Sequence, residues 1–258
     1  MIFILLYFVV GMTTKKFRLI LQQRRDNPPY MFNRNKPSLA ERVEAHYHQH
    51  KNALSSFLEI NLDGFTFEKY SPLTTDSNNY WVLAIKHILE WDLRRRSNTI
   101  ANVNPINRTV SIHAKKIEVP KYIVREGELA SILFKEAELL YTVVHELCHM
   151  FVYANDPNKY FPLSESQEPK KFEKTWPIME GVAHALSFEY IESLSSDVPL
   201  SQAFVKYAQG VYLAARRDTI MLSDYKDEFL RAEKAYSGGG LQGVRTLLQR
   251  VPRRLSIQ

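Results

Sequence analysis

The 258 residues contain a single cysteine, Cys148. No intrachain disulfide can form, so the fold rests on its core and requires no oxidising compartment. Long apolar runs are also missing. Residues 2–12 form an uninterrupted apolar stretch of 11, enough for the core of a signal peptide but short of the roughly 20 that a spanning helix needs. No basic residue precedes the stretch, while Lys15, Lys16, Arg18, Arg24 and Arg25 follow it. Positive charge in that position opposes export of what comes after. The expectation is a cytoplasmic protein. Beside it stand a membrane-anchored or exported form using residues 1–12, a start at Met12 instead of Met1, and membrane association through residues 1–25. No internal repeat is present, and neither is any zinc-finger, basic-zipper or RNA-binding signature. Lys and Arg number 34 against 28 Asp and Glu, a net +6. The surplus gathers at residues 15–25, 94–96 and 245–254, where it reads as solvated helix ends or a membrane-proximal flank, so no nucleic-acid partner is expected.

What the chain does have is material for one substantial core, with 45% of its residues hydrophobic. The simplest division is an apolar segment and Asn/Pro-rich arm over residues 1–37, followed by one domain over residues 38–258. The expected class is α+β and mainly helical. Ser38 and Glu41 have the spacing of a capping box, opening a helix to about Leu58. On it His46 and His50 share a face, most simply an exposed polar one. A second amphipathic helix is expected over residues 80–96. Residues 109–124 are β-rich and broken by Pro120, predicting short strands. Helices are then expected over residues 200–217 and 220–236, a break at Ser237–Gly240, and a last segment whose Leu241, Val244, Leu247, Leu248 and Val251 dock back at helical spacing.

Chemistry is declared at residues 145–149, His-Glu-Leu-Cys-His. On a helix, residues four apart share a face, so His145 and His149 can direct two imidazoles at one tetrahedral zinc. Glu146 lies beside them, placed to take a proton from a water whose acidity the metal raises. Chance alone yields this pattern in about two of a hundred chains of such composition, so the surroundings must carry the rest. Residues 130–153 contain neither Pro nor Gly and are rich in helix formers, and Thr142, Val143, Val144, Leu147, Met150 and Phe151 predict a helix buried except at the metal. Cys148 falls off the ligand face and reads as a packing residue.

Catalytic zinc takes three protein ligands and keeps one position open. Residues 175–184, Thr-Trp-Pro-Ile-Met-Glu-Gly-Val-Ala-His, offer the third. With Pro177 in its first turn, a second buried helix would project Glu180 among apolar neighbours, where an acid needs a strong partner such as a divalent cation. His184, one turn on, stands as an alternative ligand, an oxyanion donor, a group orienting a ligand, or a hydrogen-bonded core histidine. Glu189 is a further alternative ligand.

These two segments resemble the zincin metallopeptidases, and within them the gluzincins, in which His-Glu-x-x-His is completed by a Glu in a Glu-Gly-x-Ala context, matched here by residues 180–183. The resemblance covers about residues 109–195. It implies His145, His149 and Glu180 as ligands of one zinc, Glu146 as general base, and a sheet edge along which a peptide is laid. No Gly-Ala-Met-Glu-Asn motif of the aminopeptidases is present. The reading is a zinc-dependent peptidase acting on peptide or protein substrates, with His184 assisting catalysis. Its rival is a catalytically silent zincin-like scaffold. Tyr207, Tyr212, Arg216 and Arg217 are further candidates to reach the cleft.

Overall fold

A computed structural model describes residues 37–69, 100–112, 117–155, 169–195 and 199–250. Contacts divide the chain into two units, Met1–Ser38 and Leu39–Gln258, and every element below belongs to the second. The apolar stretch 2–12, nearly all of the arm and the helix expected over residues 80–96 lie outside the described residues.

Helix α1, Leu39–Leu58, begins directly after Ser38, as the capping-box spacing predicts. It buries Val43, Tyr47, Leu54 and Leu58, a stripe at helical period. Three strands follow, β1 Thr66–Lys69, β2 Ala101–Asn104 and β3 Thr109–Ile112. They form one sheet in the order β1-β3-β2, with β1 parallel and β2 antiparallel to β3. The β2–β3 turn is closed by Asn104, whose Oδ1 accepts the N–H groups of Ile106 and Asn107 at 3.0 and 3.2 Å. Val110 and Ile112 of β3 are buried and alternate with half-buried neighbours, so the sheet has one core face. Among the described residues beyond β3, 117–125, no strand forms. Residues 117–120 are irregular, and Pro120 instead leads into a short helix α2, Lys121–Arg125, because its fixed φ and missing N–H suit a helix start as well as a strand break.

The long helix α3, Glu128–Asn155, is buried without interruption from Leu139 to Val152. It follows Gly127, whose φ of 111° is one that glycine alone adopts readily. Helix α4, Pro169–Glu192, differs from expectation. It starts six residues before Thr175, leaving Pro177 inside the helix and not in its first turn. Proline there removes one i→i−4 bond, and the burial of Met179, Val182, Ala183 and Leu186 offsets that loss.

Helix α4 packs against both α3 and α7, Lys226–Arg250. Between α4 and α7 run α5, Pro199–Tyr207, a π-helical stretch Ala208–Tyr212, and α6, Leu213–Met221. The helix expected over residues 220–236 is instead cut by a turn at residues 222–225. Helix α7 breaks at Gly240, φ 56° and ψ −147°, and its second half returns to bury Val244 and Leu248. Arg245 there bonds Glu59 at 2.7 Å and lies over the Phe151 ring.

His46 and His50 do not form an exposed face. Both are half-buried, with His46 Nε2 3.2 Å from Glu136 Oε2 and His50 Nδ1 3.1 Å from the Tyr190 hydroxyl. Burial, then neighbouring His46, pushes His50 down to about 4. These residues fasten α1 across α3 and α4, a role that exposed polar spacing does not foretell.

Gly181 sits where α7 crosses α4. A Cβ there would lie 2.6 Å from the backbone carbon of Glu228 and 2.6 Å from the Phe229 nitrogen. Both are backbone atoms, so no rotamer change relieves the clash. Gly181→Ala should destabilise the protein by about 3 kcal/mol, lowering Tm by roughly 6–12 °C in calorimetry. An unchanged Tm would mean that this crossing is not close.

Candidate metal centre

Two buried helices bring the chemistry together. Helix α3 supplies His145, Glu146 and His149, and α4 supplies Glu180 and His184 one turn apart. None of the five exposes more than 7% of its surface. Water cannot pay for desolvating Glu180 at that depth, so the groups facing it must. Its Oε2 lies 3.3 Å from His145 Nε2 and its Oε1 3.5 Å from His149 Nε2. Among the described residues, His145, His149 and Glu180 are the one group of three whose ligand atoms all lie within 4.8 Å of one another.

That group could hold a metal ion. Tetrahedral ligands about 2.0–2.1 Å from a metal stand about 3.3 Å from each other, and one atom from each of the three residues lies within 4.8 Å of the others, so small side-chain shifts bring them to a shared ion. Burial, offset in part by Glu180 and reinforced by His145, drives His149 down to about 4. Its imidazole is therefore neutral at physiological pH, the form that binds a metal. The Nδ1 of His149 is buried and has no hydrogen-bond partner among the described residues.

His184 stands beside this group. Its Nε2 is 3.7 Å from Glu180 Oε2, its ring is 4.2 Å from that of His145, and its Nδ1 meets the Tyr141 hydroxyl at 2.5 Å. The Tyr225 ring lies 4.9 Å from that of His184, tilted by 32°. The arrangement places His184 against the carboxylate of Glu180 and outside the three-ligand group. Tyr141 escaped sequence reasoning, although its position one turn before His145 on the same face of α3 was a usable signal. Its ring lies nearly parallel to that of His145, 13° apart at 5.9 Å. Burial in this wall drives the Tyr141 phenol upward, against the nearby Arg216.

Glu146 reaches the sheet. Its Oε2 accepts the Val103 N–H at 2.9 Å. Because that N–H points to α3, the Val103–Val110 pair is a non-hydrogen-bonded one, and with the Val103 N–H taken, the outer edge of β2 keeps the Val103 carbonyl and the backbone groups of Ala101. A short strand thus orients the carboxylate. No pattern in residues 101–104 announces this.

The remaining candidates divide. Tyr212 and Arg216 approach the site wall, Tyr212 donating to Glu138 Oε2 at 2.6 Å and Arg216 lying 4.8 Å over the Tyr141 ring. Tyr207 instead bonds the Ala130 carbonyl, and Arg217 pairs with Glu233 over the rings of Phe188 and Phe229. Glu189 is outside the ligand group, half-buried, its carboxyl raised by burial and then by Glu192 and Glu233. Cys148 is fully buried, its thiol pushed up to about 12 by burial, and it packs as expected. No described helix is long and apolar enough to cross a membrane.

Compared with protein-family models, curated proteins and solved structures, the chain matches none.

Proposed function

We propose that the protein is a zinc-dependent peptidase of the zincin type, gluzincin-like in its third ligand, that hydrolyses peptide or protein substrates. One observation carries the reading. A buried carboxylate faces two imidazole nitrogens at 3.3 and 3.5 Å, and a second acid, Glu146, sits next to the first of them in the chain. His145, His149 and Glu180 would hold one zinc, which when bound would supply Lewis acidity to a carbonyl and to a water.

The chain's own groups do the rest. Glu146, oriented by the Val103 N–H, takes the proton of the attacking water and passes it to the leaving nitrogen, so one carboxylate serves as base and then as acid. His184, held by Tyr141, keeps Glu180 in place. The outer edge of β2 offers main-chain groups to an extended peptide, a common mode of peptide recognition.

A digest of a fluorogenic peptide library by the full chain tests this. Cleavage should stop with chelator and return with zinc. Absence of cleavage by fully zinc-loaded protein would reject the peptidase and leave the scaffold.

A further inference from the structure

Arg216 takes no part in the chemistry above, yet it is tied to the residues that carry it. Its guanidinium carbon lies 4.8 Å over the Tyr141 ring, and the guanidinium is hydrogen-bonded to the Tyr141 hydroxyl. Glu138 balances its charge, with Oε1 at 3.9 Å, while Glu138 Oε2 accepts the Tyr212 hydroxyl at 2.6 Å. The Tyr141 oxygen in turn meets His184 Nδ1 at 2.5 Å, and His184 Nε2 lies 3.7 Å from Glu180 Oε2. Arg216 on α6, Tyr141 on α3, and His184 and Glu180 on α4 thus form one line ending at a proposed metal ligand.

Counting hydrogens gives that line a direction. A guanidinium has donors only, a phenol has one proton, and a neutral imidazole has one N–H and one lone pair. The Tyr141 oxygen must accept from Arg216, so its single proton is left for His184. His184 Nδ1 then accepts, and the ring hydrogen sits on Nε2, facing Glu180. With the hydrogen on Nδ1 instead, the phenol oxygen would accept from both sides. Its proton would have no acceptor among these groups, although Tyr141 is only 1% exposed, and the Nε2 lone pair would face a carboxylate. Buried polar groups are rarely left so.

We propose that Arg216, acting through Tyr141, holds His184 in the tautomer with hydrogen on Nε2 and so keeps an N–H turned to Glu180. Arg216 and Tyr141 are then positioning residues of the metal site, and neither touches metal or substrate. The consequence for zinc rests on the ligand set proposed above, whereas the tautomer itself does not.

The test uses the full chain with nitrogen-15 in its histidines. Long-range proton–nitrogen spectra separate a ring nitrogen bearing hydrogen from one bearing a lone pair, and the His184 signals are those missing from His184→Ala. Zinc-free wild type should show hydrogen on Nε2. So should Glu180→Ala, in which no carboxylate attracts that hydrogen and only the Arg216 line remains. Adding Arg216→Gln to Glu180→Ala should give both tautomers, because the amide oxygen can take the phenol proton, and adding Tyr141→Phe should do the same. Adding Arg216→Lys, again a donor only, should leave hydrogen on Nε2. With Glu180 intact, Arg216→Gln and Tyr141→Phe should each weaken zinc by about 10-fold in competition with a chelator. Hydrogen on Nδ1 in the wild type or in Glu180→Ala would overturn the proposal. So would an unchanged tautomer in both double variants, or unchanged zinc affinity in both single ones. If the wild type binds no zinc, the ligand set above fails, and the tautomers alone decide on Arg216.

Discussion

Wild-type protein purified without chelator should carry about one zinc per chain, while His149→Ala and Glu180→Ala should each retain less than about a tenth of it. The expectation follows from burial. Glu180 is 5% exposed between two imidazoles, and removing it leaves two imidazole nitrogens, too few donors to hold zinc tightly. His184→Ala is the necessary contrast. His184 touches Glu180 and Tyr141 but stands outside the group that can share one ion, so its loss should weaken zinc by about 10–100-fold and leave the site loadable. Zinc in large excess over its Kd should also raise wild-type stability by about 4 kcal/mol, near 10 °C in Tm, and should do nothing for Glu180→Ala. If Glu180→Ala kept full zinc and His184→Ala lost it, His184 would be the ligand and the likeness to gluzincins would end.

Glu146→Gln should keep zinc and fold while kcat/KM falls by about 10²–10⁴. The substitution is close to isosteric, and the amide oxygen can still accept the Val103 N–H that Glu146 accepts at 2.9 Å. Only the ability to take a proton is lost. Single-turnover peptide cleavage and metal analysis on the same preparation separate the two properties. Unchanged turnover would reject Glu146 as the base, and loss of zinc would make it a ligand.

The parts of this site that could be read in the sequence are those whose geometry is local. His145 and His149 four apart, a stretch free of Pro and Gly, and apolar residues all round them specify a buried helix without reference to the rest of the chain. Glu180 was legible for a related reason, as an acid inside an apolar run. The start of α4 was not legible, because the preference of proline for a first turn is a local rule that packing of Met179, Val182 and Leu186 overrides. Strands β1 and β2 have four residues each, too few for an alternation to show, and they form because β3 lies between them. The same holds for the Val103 amide beneath Glu146, for Tyr141 against His184, and for Arg216, which the π-helical stretch Ala208–Tyr212 and α6 carry to the site wall. Each depends on contacts between residues more than forty apart in the chain. The glycine of Glu-Gly-x-Ala acquires a physical reason only once α7 is seen crossing it.

The most direct measurement of the central claim is an anomalous difference map, recorded at the zinc edge, from crystals of the zinc-loaded full chain. It should show one peak between α3 and α4, about 2.0–2.1 Å from the Nε2 atoms of His145 and His149 and about 2.0–2.2 Å from an oxygen of Glu180. No peak there, or a peak bound by His184 with Glu180 turned away, would contradict it.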